Sequence, residues 1–384
     1  MAISSDMKQF KDKVAVVGVG NTCDGPLYRT KEPLRTSYGL GLEAFKNALE
    51  DSGLSKKDID GLAICRIPSY VKMSTMLGLQ FPNWLGVYEG SGRMAGAALQ
   101  GAAMAIYSGM ADYVAIIYGN DGRSVGATYG GEAKRALDSF NAPYGMTSPG
   151  ASHALMWQRY MHEYNTSEET LGRVAISFRK YASLNSDAVM REPMTMEDYL
   201  NVRYIVYPLR RYDYCLINDG GCAMILTGAE RAKDCKKPPV YIMGTAQRSE
   251  LTEYYHNENY FWDSMEPVRD RVFDMAGVGS GDIDVLEIYD NFLTNIIFSL
   301  DGFGFTPKGE AGHWINEGHH ELGGSLPINT HGAHSSCSYM QGHGHQIEAV
   351  RQARGECGPR QSPKHELVQY ICSAPITTSH IFHT

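Results

Sequence analysis

The sequence predicts an α/β fold built from two similar halves and stacked as five layers in the order α-β-α-β-α. Short apolar runs rich in β-branched residues alternate with amphipathic stretches along most of the chain, which indicates parallel or mixed sheets covered by helices. One pattern occurs twice: strands at 14–18 and 240–244 are each followed by a helix, an Asp-Ile-Asp link and a second strand. The uncharged, Ala- and Gly-rich stretch at 95–110 is typical of a helix buried on all sides.

The individual elements follow from the same patterns. Residues 13–20 form an apolar run that predicts the first buried strand, and Leu42, Phe45 and Leu49 then recur near helical spacing. Further strands are predicted at 59–64, 113–118, 222–227, 240–245, 283–288 and 367–372. Further helices are predicted to start at 56 and to span 155–164, 166–181, 265–276, 292–300 and 346–354. The repeat divides the chain into an N-terminal half, 1–235, and a C-terminal half, 236–384, with a long irregular region at 119–208 that is typical of a binding site or an interface.

Composition excludes several classes of function. The net charge is −8 and no run of Lys or Arg occurs, which argues against nucleic-acid binding. No stretch of about 18 apolar residues is present, so no membrane span is predicted. Residues 1–13 are polar and lack the apolar core of a signal peptide, and the eight cysteines form no CxxC pair. These features predict a cytoplasmic protein with free thiols.

Three segments carry a family resemblance. Residues 208–213, followed by Asn218-Asp219-Gly220, are similar to the "PL...D...DGA" stretch of thiolases. The turn at 329–332 resembles the thiolase "NxxGG" turn, and 348–355 resembles the "EAVRQLRG" helix of the sterol-carrier-protein and lipid-transfer-protein branch. The chain is therefore identified as a member of the thiolase superfamily. The resemblance implies the thiolase fold, with two βαβαβαββ halves.

The resemblance also identifies where a thiolase keeps its nucleophile. The acyl-accepting cysteine of thiolases stands in an elbow before a buried helix, and Glu89 occupies that position here. No cysteine lies between Cys65 and Cys215, so a covalent acyl-cysteine mechanism at this elbow is not expected. Glu89 is either a catalytic side chain or a buried structural carboxylate. The resemblance further implies loop or oxyanion-hole roles for three glycines, Gly90, Gly92 and Gly332.

Two other thiolase landmarks carry tyrosine. Tyr289, followed by Asp290, stands at the position of the first residue of the "NEAF" or "HDxF" turn, and Tyr339 stands at the "GHP" histidine. Cys372 matches the C-terminal cysteine that shuttles protons in thiolases. Each of these has a structural alternative, because a buried tyrosine bonds through its hydroxyl and a buried cysteine packs as a small apolar side chain.

Several histidines surround the glycine-rich loop. His331, His334, His343 and His345 suggest a metal site by number, but their spacing fits no standard helical ligand pair, and no metal is predicted. One histidine as a hydrogen-bond donor to a thioester oxygen fits better, with His343 as the candidate.

Two phenols beside an oxyanion site favour retro-aldol cleavage of a β-hydroxyacyl thioester. One phenol takes the proton of the β-hydroxyl, the Cα–Cβ bond breaks, and the second phenol protonates the enolate carbon. The sequence resembles the aldolases of bacterial steroid side-chain degradation. That resemblance implies a 17-hydroxy steroid carboxyl-CoA substrate cleaved to a ketone and propionyl-CoA, with coenzyme A as part of the substrate and no permanently bound cofactor. It also implies a homodimer and a small partner protein with a zinc ribbon and an OB-fold.

Two alternatives remain open at this point. The first is a thiolase or acyltransferase with an atypical nucleophile such as Cys372, and the second is an inactive thiolase-like binding subunit. The acyl pocket is equally open. Four apolar side chains of the irregular region are candidates for its lining, for the core or for a dimer contact: Tyr144, Met146, Met156 and Trp157.

Overall fold

The computed structural model describes residues 8–30, 35–79, 81–89, 94–128, 143, 145–146, 148–249, 258–373 and 376–384. Its strands are β1 (Val14–Asn21), β2 (Gly61–Cys65), β3 (Trp84–Tyr88), β4 (Tyr113–Asp121), β5 (Tyr204–Val206), β6 (Leu209–Arg210), β7 (Asp219–Gly228), β8 (Val240–Ser249), β9 (Val285–Ile288), β10 (Val368–Cys372) and β11 (Ile376–His383). Its helices are α1 (Asp24–Arg29), α2 (Ser37–Ser52), α3 (Tyr70–Leu77), α4 (Met94–Tyr107), α5 (Pro149–Tyr164), α6 (Glu168–Ser183), α7 (Met196–Asn201), α8 (Ala229–Ala232), α9 (Trp262–Ala276), α10 (Thr294–Gly302), α11 (Ala311–Asn316) and α12 (His343–Ala353).

Strand order demonstrates the duplication. Nine strands are hydrogen-bonded in the order β3-β2-β4-β7-β1-β8-β11-β10-β9, and β1 meets β8 through only two residue pairs. The five strands of the first half, numbered by their order in the chain, lie across the sheet as third (β3), second (β2), fourth (β4), fifth (β7) and first (β1). In the second half, the second (β9), fourth (β10), fifth (β11) and first (β8) strands lie in the same relative order. The place of the third strand, beside β9, is taken by Ile328, which forms a parallel bridge to Leu286. The predicted boundary near residue 235 falls between β7 and β8.

The Asp-Ile-Asp link has the same physical role in both halves. Asp58 accepts a hydrogen bond from the backbone of Ser55 at 2.8 Å, and Asp282 accepts one from the backbone of Gly279 at 2.8 Å, so each caps a single 3-10 turn. The helix predicted to start at residue 56 is only this 3-10 turn, Lys56–Asp58, because the backbone becomes extended at Ile59. Asp60 then accepts from the backbone of Tyr113 at 2.8 Å, where β4 begins. In the second half, Asp284 accepts a hydrogen bond from the backbone N–H of Leu367, directly before β10, at 3.0 Å.

Two helices form the central layer. The Ala- and Gly-rich α4 contacts β2, β4 and β7 of the first half and also β8 and β11 of the second. Helix α12 contacts β9 and β10 together with β1 and β7. Helix α2 covers β1, β4 and β7, and α9 covers β8 and β11. The α-β-α-β-α arrangement is confirmed, and it places the N-terminal ends of α4 and α12 between the two halves.

The irregular region contributes mainly to the core of the C-terminal half. Trp157 is fully buried and Met156 is 9% exposed, and both pack in the same apolar cluster as Phe298 of α10. These two side chains are therefore core residues. Met146 is half-buried, and Tyr144 lies outside the described residues.

Candidate active site

Tyr289 and Tyr339 meet in the interior although 50 residues separate them in the chain. Their hydroxyl oxygens lie 3.1 Å apart and are hydrogen-bonded, and the two side chains are only 2% and 7% exposed. A buried tyrosine normally bonds its hydroxyl to a carboxylate or a carbonyl. Two phenols bonded to each other form instead a pair in which each hydroxyl can donate or accept, as proton exchange requires.

The end of β9 fixes Tyr289. The Tyr289 backbone N–H donates to the carbonyl of Ile371 at 2.8 Å, which continues the parallel pairing of β9 with β10. Asn329, in the left-handed conformation with φ of 52°, accepts from the N–H of Ile288 at 2.6 Å and donates to the carbonyl of the same residue at 2.8 Å. The asparagine of the 329–332 motif therefore ties the loop to the residue directly before Tyr289.

Asn218 fixes Tyr339 from the opposite half of the chain. Its side-chain oxygen accepts from the Tyr339 backbone N–H at 2.7 Å. Gly342 then has φ of 92°, and a Cβ there would stand 2.4 Å from the hydroxyl of Tyr370. Glycine is therefore required where the tyrosine loop enters α12.

The two phenols are not electrostatically equivalent. Burial raises the pKa of Tyr289 well above its ordinary value, and the neighbouring Tyr339 and the Cys372 thiol raise it further. Burial also raises the pKa of Tyr339, but hydrogen bonds from Tyr289 and the Gln341 side chain, together with the positive charge of Arg66, act in the opposite direction. A negative charge is thus better supported on the Tyr339 oxygen.

A buried histidine packs against both phenols. The His334 ring makes edge-to-face contacts with Tyr289 at 5.0 Å and with Tyr339 at 4.9 Å between ring centroids. Its Nε2 accepts from the backbone N–H of Gly342 at 3.1 Å, so the proton of the neutral ring is on Nδ1, 3.2 Å from Asp290 Oδ1. Burial lowers the pKa of His334 well below its ordinary value. His334 is therefore neutral. Its Nε2 is occupied by the N–H of Gly342, so it orients the two phenols through ring contacts.

Asp290 is completely buried and organises the loop around Tyr289. Its carboxylate accepts from the backbone N–H of His334 at 3.1 Å and from His345 Nε2 at 3.0 Å. These bonds connect the turn after β9 with the first turn of α12. The position of Asp290 therefore favours a supporting role over direct contact with substrate.

The other predicted site residues lie at different distances from the pair. Cys372 is fully buried at the end of β10, close enough to Tyr289 to influence its pKa. Glu89 is exposed directly after β3, so it is not a buried structural carboxylate in the single chain, and Gly90 and Gly92 lie outside the described residues.

His343 and Gly332 are the remaining predicted site residues that the structure describes. His343 is separated from them and lies against Tyr118, with ring centroids 4.8 Å apart. Burial lowers the pKa of His343 to about 3. Gly332 has φ of 106°, and a Cβ there would stand 2.7 Å from the Cβ of Ala182. The loop therefore needs glycine at this position for packing.

Sequence reasoning assigned no role beside the two phenols to three residues of the site. Asn218 and Gln341 support Tyr339, and His334 contacts both phenols. The Asn218-Asp219-Gly220 motif was visible in the sequence, but its contact with a loop 121 positions away was not. Gln341 gave no signal, because an isolated glutamine has no patterned neighbours.

Comparisons with known proteins show which family this chain resembles. A family model described as "Thiolase C-terminal domain-like" matches residues 247–380. The steroid side-chain-cleaving aldolase of Thermomonospora curvata is 35% identical over 91% of this chain and 92% of its own length. The 17-hydroxy-3-oxo-4-pregnene-20-carboxyl-CoA lyase of Mycobacterium tuberculosis is 33% identical over 93% of this chain and 95% of its own. The solved structure named "Ltp2-ChsH2(DUF35) aldolase" superposes with a TM-score of 0.89 at 30% identity and covers 98% of both chains.

The chain belongs to the thiolase superfamily. Within it, the chain falls in the sterol-carrier-protein and lipid-transfer-protein branch, beside the steroid side-chain-cleaving aldolases. None of the helices in the described ranges has both the length and the apolar character that a membrane crossing requires.

Proposed function

We propose that this protein is a retro-aldolase that cleaves the Cα–Cβ bond of a β-hydroxyacyl-CoA thioester. The observation that carries the proposal is the buried pair of hydrogen-bonded phenols in a thiolase fold without a cysteine at the nucleophile elbow. Such a site lacks the group that forms an acyl-enzyme but keeps a donor and an acceptor for protons. The similarity to two carbon–carbon-cleaving relatives over more than nine-tenths of the chain supports the same chemistry.

The surroundings of the two phenols support a direction for proton transfer. Hydrogen bonds with Tyr289 and with the Gln341 side chain lower the pKa of Tyr339, so its oxygen is the better place for developing negative charge. Tyr339 takes the proton of the β-hydroxyl, the Cα–Cβ bond breaks as the ketone forms, and the electron pair enters the thioester enolate. Tyr289 delivers its proton to Cα, and the 3.1 Å contact lets the proton on Tyr339 pass to Tyr289, which restores both phenols. Burial disfavours a standing phenolate, so the transfers are coupled.

The substrate proposed is a 17-hydroxy steroid carboxyl-CoA, which yields a 17-ketosteroid and propionyl-CoA, with coenzyme A only as part of the substrate. The test is incubation with 17-hydroxy-3-oxo-4-pregnene-20-carboxyl-CoA and mass spectrometry of both products. The matched thioester without the 17-hydroxyl is the control, and it should stay intact because it has no proton for Tyr339 to remove. Absence of both products, or release of free CoA with an acylated protein, would contradict the proposal and favour a thiolase-type reaction.

A small partner protein with a zinc ribbon and an OB-fold is proposed as well. The support is the likeness at TM-score 0.89 to an aldolase whose name includes a DUF35 component. The incubation is therefore run with and without such a protein. A location in the cytoplasm is also proposed, since all eight cysteines are free thiols.

A homodimer through the edge strand β3 is also proposed. This strand is at one end of the sheet order, and its outward-facing Leu85 and Val87 are 40% and 55% exposed. An exposed apolar edge strand pairs readily with a second copy, since its outer N–H and C=O groups are unpaired.

A charged side chain on this edge should separate the dimer. We expect Val87→Lys to shift the protein from twice the chain mass to 42.5 kDa in size-exclusion chromatography with light scattering. Met110→Lys is the control, because Met110 is 58% exposed in the turn after α4 and is not part of β3. A Val87→Lys variant that remains dimeric would contradict pairing through β3.

A further inference from the structure

Three side chains beneath the tyrosine pair leave buried polar atoms without hydrogen bonds. Glu287 and His345 are fully buried and His331 is 5% exposed. Within the part of the chain that the structure describes, one carboxylate oxygen of Glu287, both ring nitrogens of His331 and Nδ1 of His345 have no hydrogen-bond partner. Buried polar atoms are nearly always satisfied in proteins, so four such atoms in one cluster indicate a group that bonds to all three residues.

The cluster has the donor types and spacing of a cation site. One ligand atom from each of Glu287, His331 and His345 lies within 4.8 Å of the others, and His331 Nδ1 is 3.1 Å from Glu287 Oε2 without the alignment of a hydrogen bond. Ligands of a tetrahedral zinc ion, at bond lengths of about 2.0–2.1 Å, stand roughly 3.4 Å apart. Two imidazoles with one carboxylate are a common zinc ligand set.

The neighbouring hydrogen bonds are those that orient metal ligands. His345 donates from Nε2 to Asp290 at 3.0 Å, which leaves Nδ1 as the lone-pair atom of the neutral ring. The second oxygen of Glu287 is held by the backbone N–H of Thr330 at 3.0 Å and by its hydroxyl at 3.1 Å. A carboxylate behind a ligating histidine fixes its tautomer and orientation, and hydrogen bonds do the same for a ligating carboxylate.

Charge balance points in the same direction. Glu287 and Asp290 are both completely buried, and within the described ranges the side chains that contact them include three histidines but no lysine or arginine. The nearby Arg360 is already bonded to Glu348, at 2.8 and 3.0 Å. Two buried carboxylates with neutral partners are costly, and one divalent cation would neutralise both.

We propose that Glu287, His331 and His345 bind one divalent cation of the zinc class, which ties together the strand that carries Tyr289, the loop that leads to Tyr339 and the first turn of α12. A cavity of about 30 Å³, lined by His331 and Glu348 among others, reaches the cluster from the side of Asp24. It touches the cluster at His331 and has room for about one water molecule beside that ligand.

A second grouping, of Asp290, His334 and His345, has less need of a cation. There His334 Nε2 is occupied by the N–H of Gly342, and Asp290 accepts from His345 and from a backbone N–H. In the second grouping His334 Nδ1 and the shared His345 Nδ1 have no hydrogen-bond partner, against four such atoms in the first grouping, and the proposal is therefore limited to the first.

The test is elemental analysis of the full-length, untagged chain purified without any zinc-binding partner. About one zinc per chain is expected by inductively coupled plasma mass spectrometry, with at least about a tenfold loss in Glu287→Gln and in His331→Gln. His320→Gln is the matched control, since His320 is equally buried and also has two unsatisfied ring nitrogens, but it is outside the cluster. It should retain the ion.

Two further measurements do not depend on the folding of variants. The wild-type chain, denatured with a chelator and refolded with CoCl2, should show the visible absorption of four-coordinate cobalt. X-ray absorption of its zinc should show two imidazole ligands. A chain without zinc whose Tm does not rise with ZnCl2, an ion retained in both ligand variants, or a spectrum without imidazole would each overturn the proposal. If the chain holds no zinc and ZnCl2 does not raise its Tm, a water or a shared proton is the hydrogen-bond partner of the buried atoms of Glu287, His331 and His345.

Discussion

Replacement of Tyr289 or Tyr339 with phenylalanine is expected to lower kcat for cleavage of the steroid thioester by about 100- to 10,000-fold, the usual contribution of a positioned acid or base. The substitution removes one oxygen and leaves the ring that packs beside His334 in place. The KM should change little, because neither hydroxyl is needed to hold the coenzyme A portion. Single-turnover cleavage, followed by mass spectrometry of the ketone, measures the effect.

The control is Tyr181→Phe. Tyr181 is also buried, but its hydroxyl makes only a 3.4 Å contact with the carbonyl of His320. This variant should retain wild-type turnover. Full turnover in both site variants would contradict a role for the phenols. Loss in all three variants together with a lower Tm would show that only packing is being measured.

The assignment of base and acid has its own consequence. If Tyr289 protonates Cα, then by microscopic reversibility it also removes the α-proton of propionyl-CoA. We therefore expect the wild type to exchange the α-hydrogens of propionyl-CoA with D2O and Tyr289→Phe to lose this exchange. Tyr339→Phe should slow the exchange without abolishing it, because Tyr289 still reaches Cα but must pass its own proton to water instead of to Tyr339. The opposite pattern, read by mass spectrometry, would reverse the two roles.

Much of the fold was predictable because burial leaves strong local patterns. The apolar run of β1 was recognised because it is buried nearly throughout. The Ala-rich α4 was recognised by its lack of charge, although only eight of its 14 residues are buried and Tyr107 at its end is exposed. Strand β3 was not recognised, since it is an exposed edge strand with only two outward-facing apolar side chains. Strand β11, which carries Thr and His residues between β10 and β8, is polar in sequence and buried by its position.

The site was predictable only in part. Family resemblance identified Tyr289 and Tyr339, but no sequence pattern could show that their hydroxyls are in contact. The prediction of no metal site relied on helical spacing, and it stays a prediction until the proposed cation site is assayed. His331 lies in a loop and His345 in α12, so spacing along one helix could not reveal a cluster that the fold brings together.

Asn329 is expected to be the side chain on which the position of Tyr289 depends most. It is completely buried, and both its amide atoms bond to the backbone of Ile288. Asn329→Ala leaves that N–H and C=O unsatisfied and places alanine in the left-handed conformation, so the free energy of unfolding should fall by about 2–5 kcal/mol. Denaturant unfolding measures the loss.

Turnover distinguishes Asn329 from an asparagine whose side chain only contributes to stability. Asn47→Ala is the control, since Asn47 is half-buried in α2 and its amide donates one 2.9 Å bond to the carbonyl of Asn21. It should lose about 1 kcal/mol and keep its turnover. Asn329→Ala should lose turnover even at temperatures where it is fully folded, because the end of β9 is no longer tied to the 329–332 turn. If kcat of folded Asn329→Ala equalled that of the wild type, the pairing of β9 with β10 alone would be enough to position Tyr289.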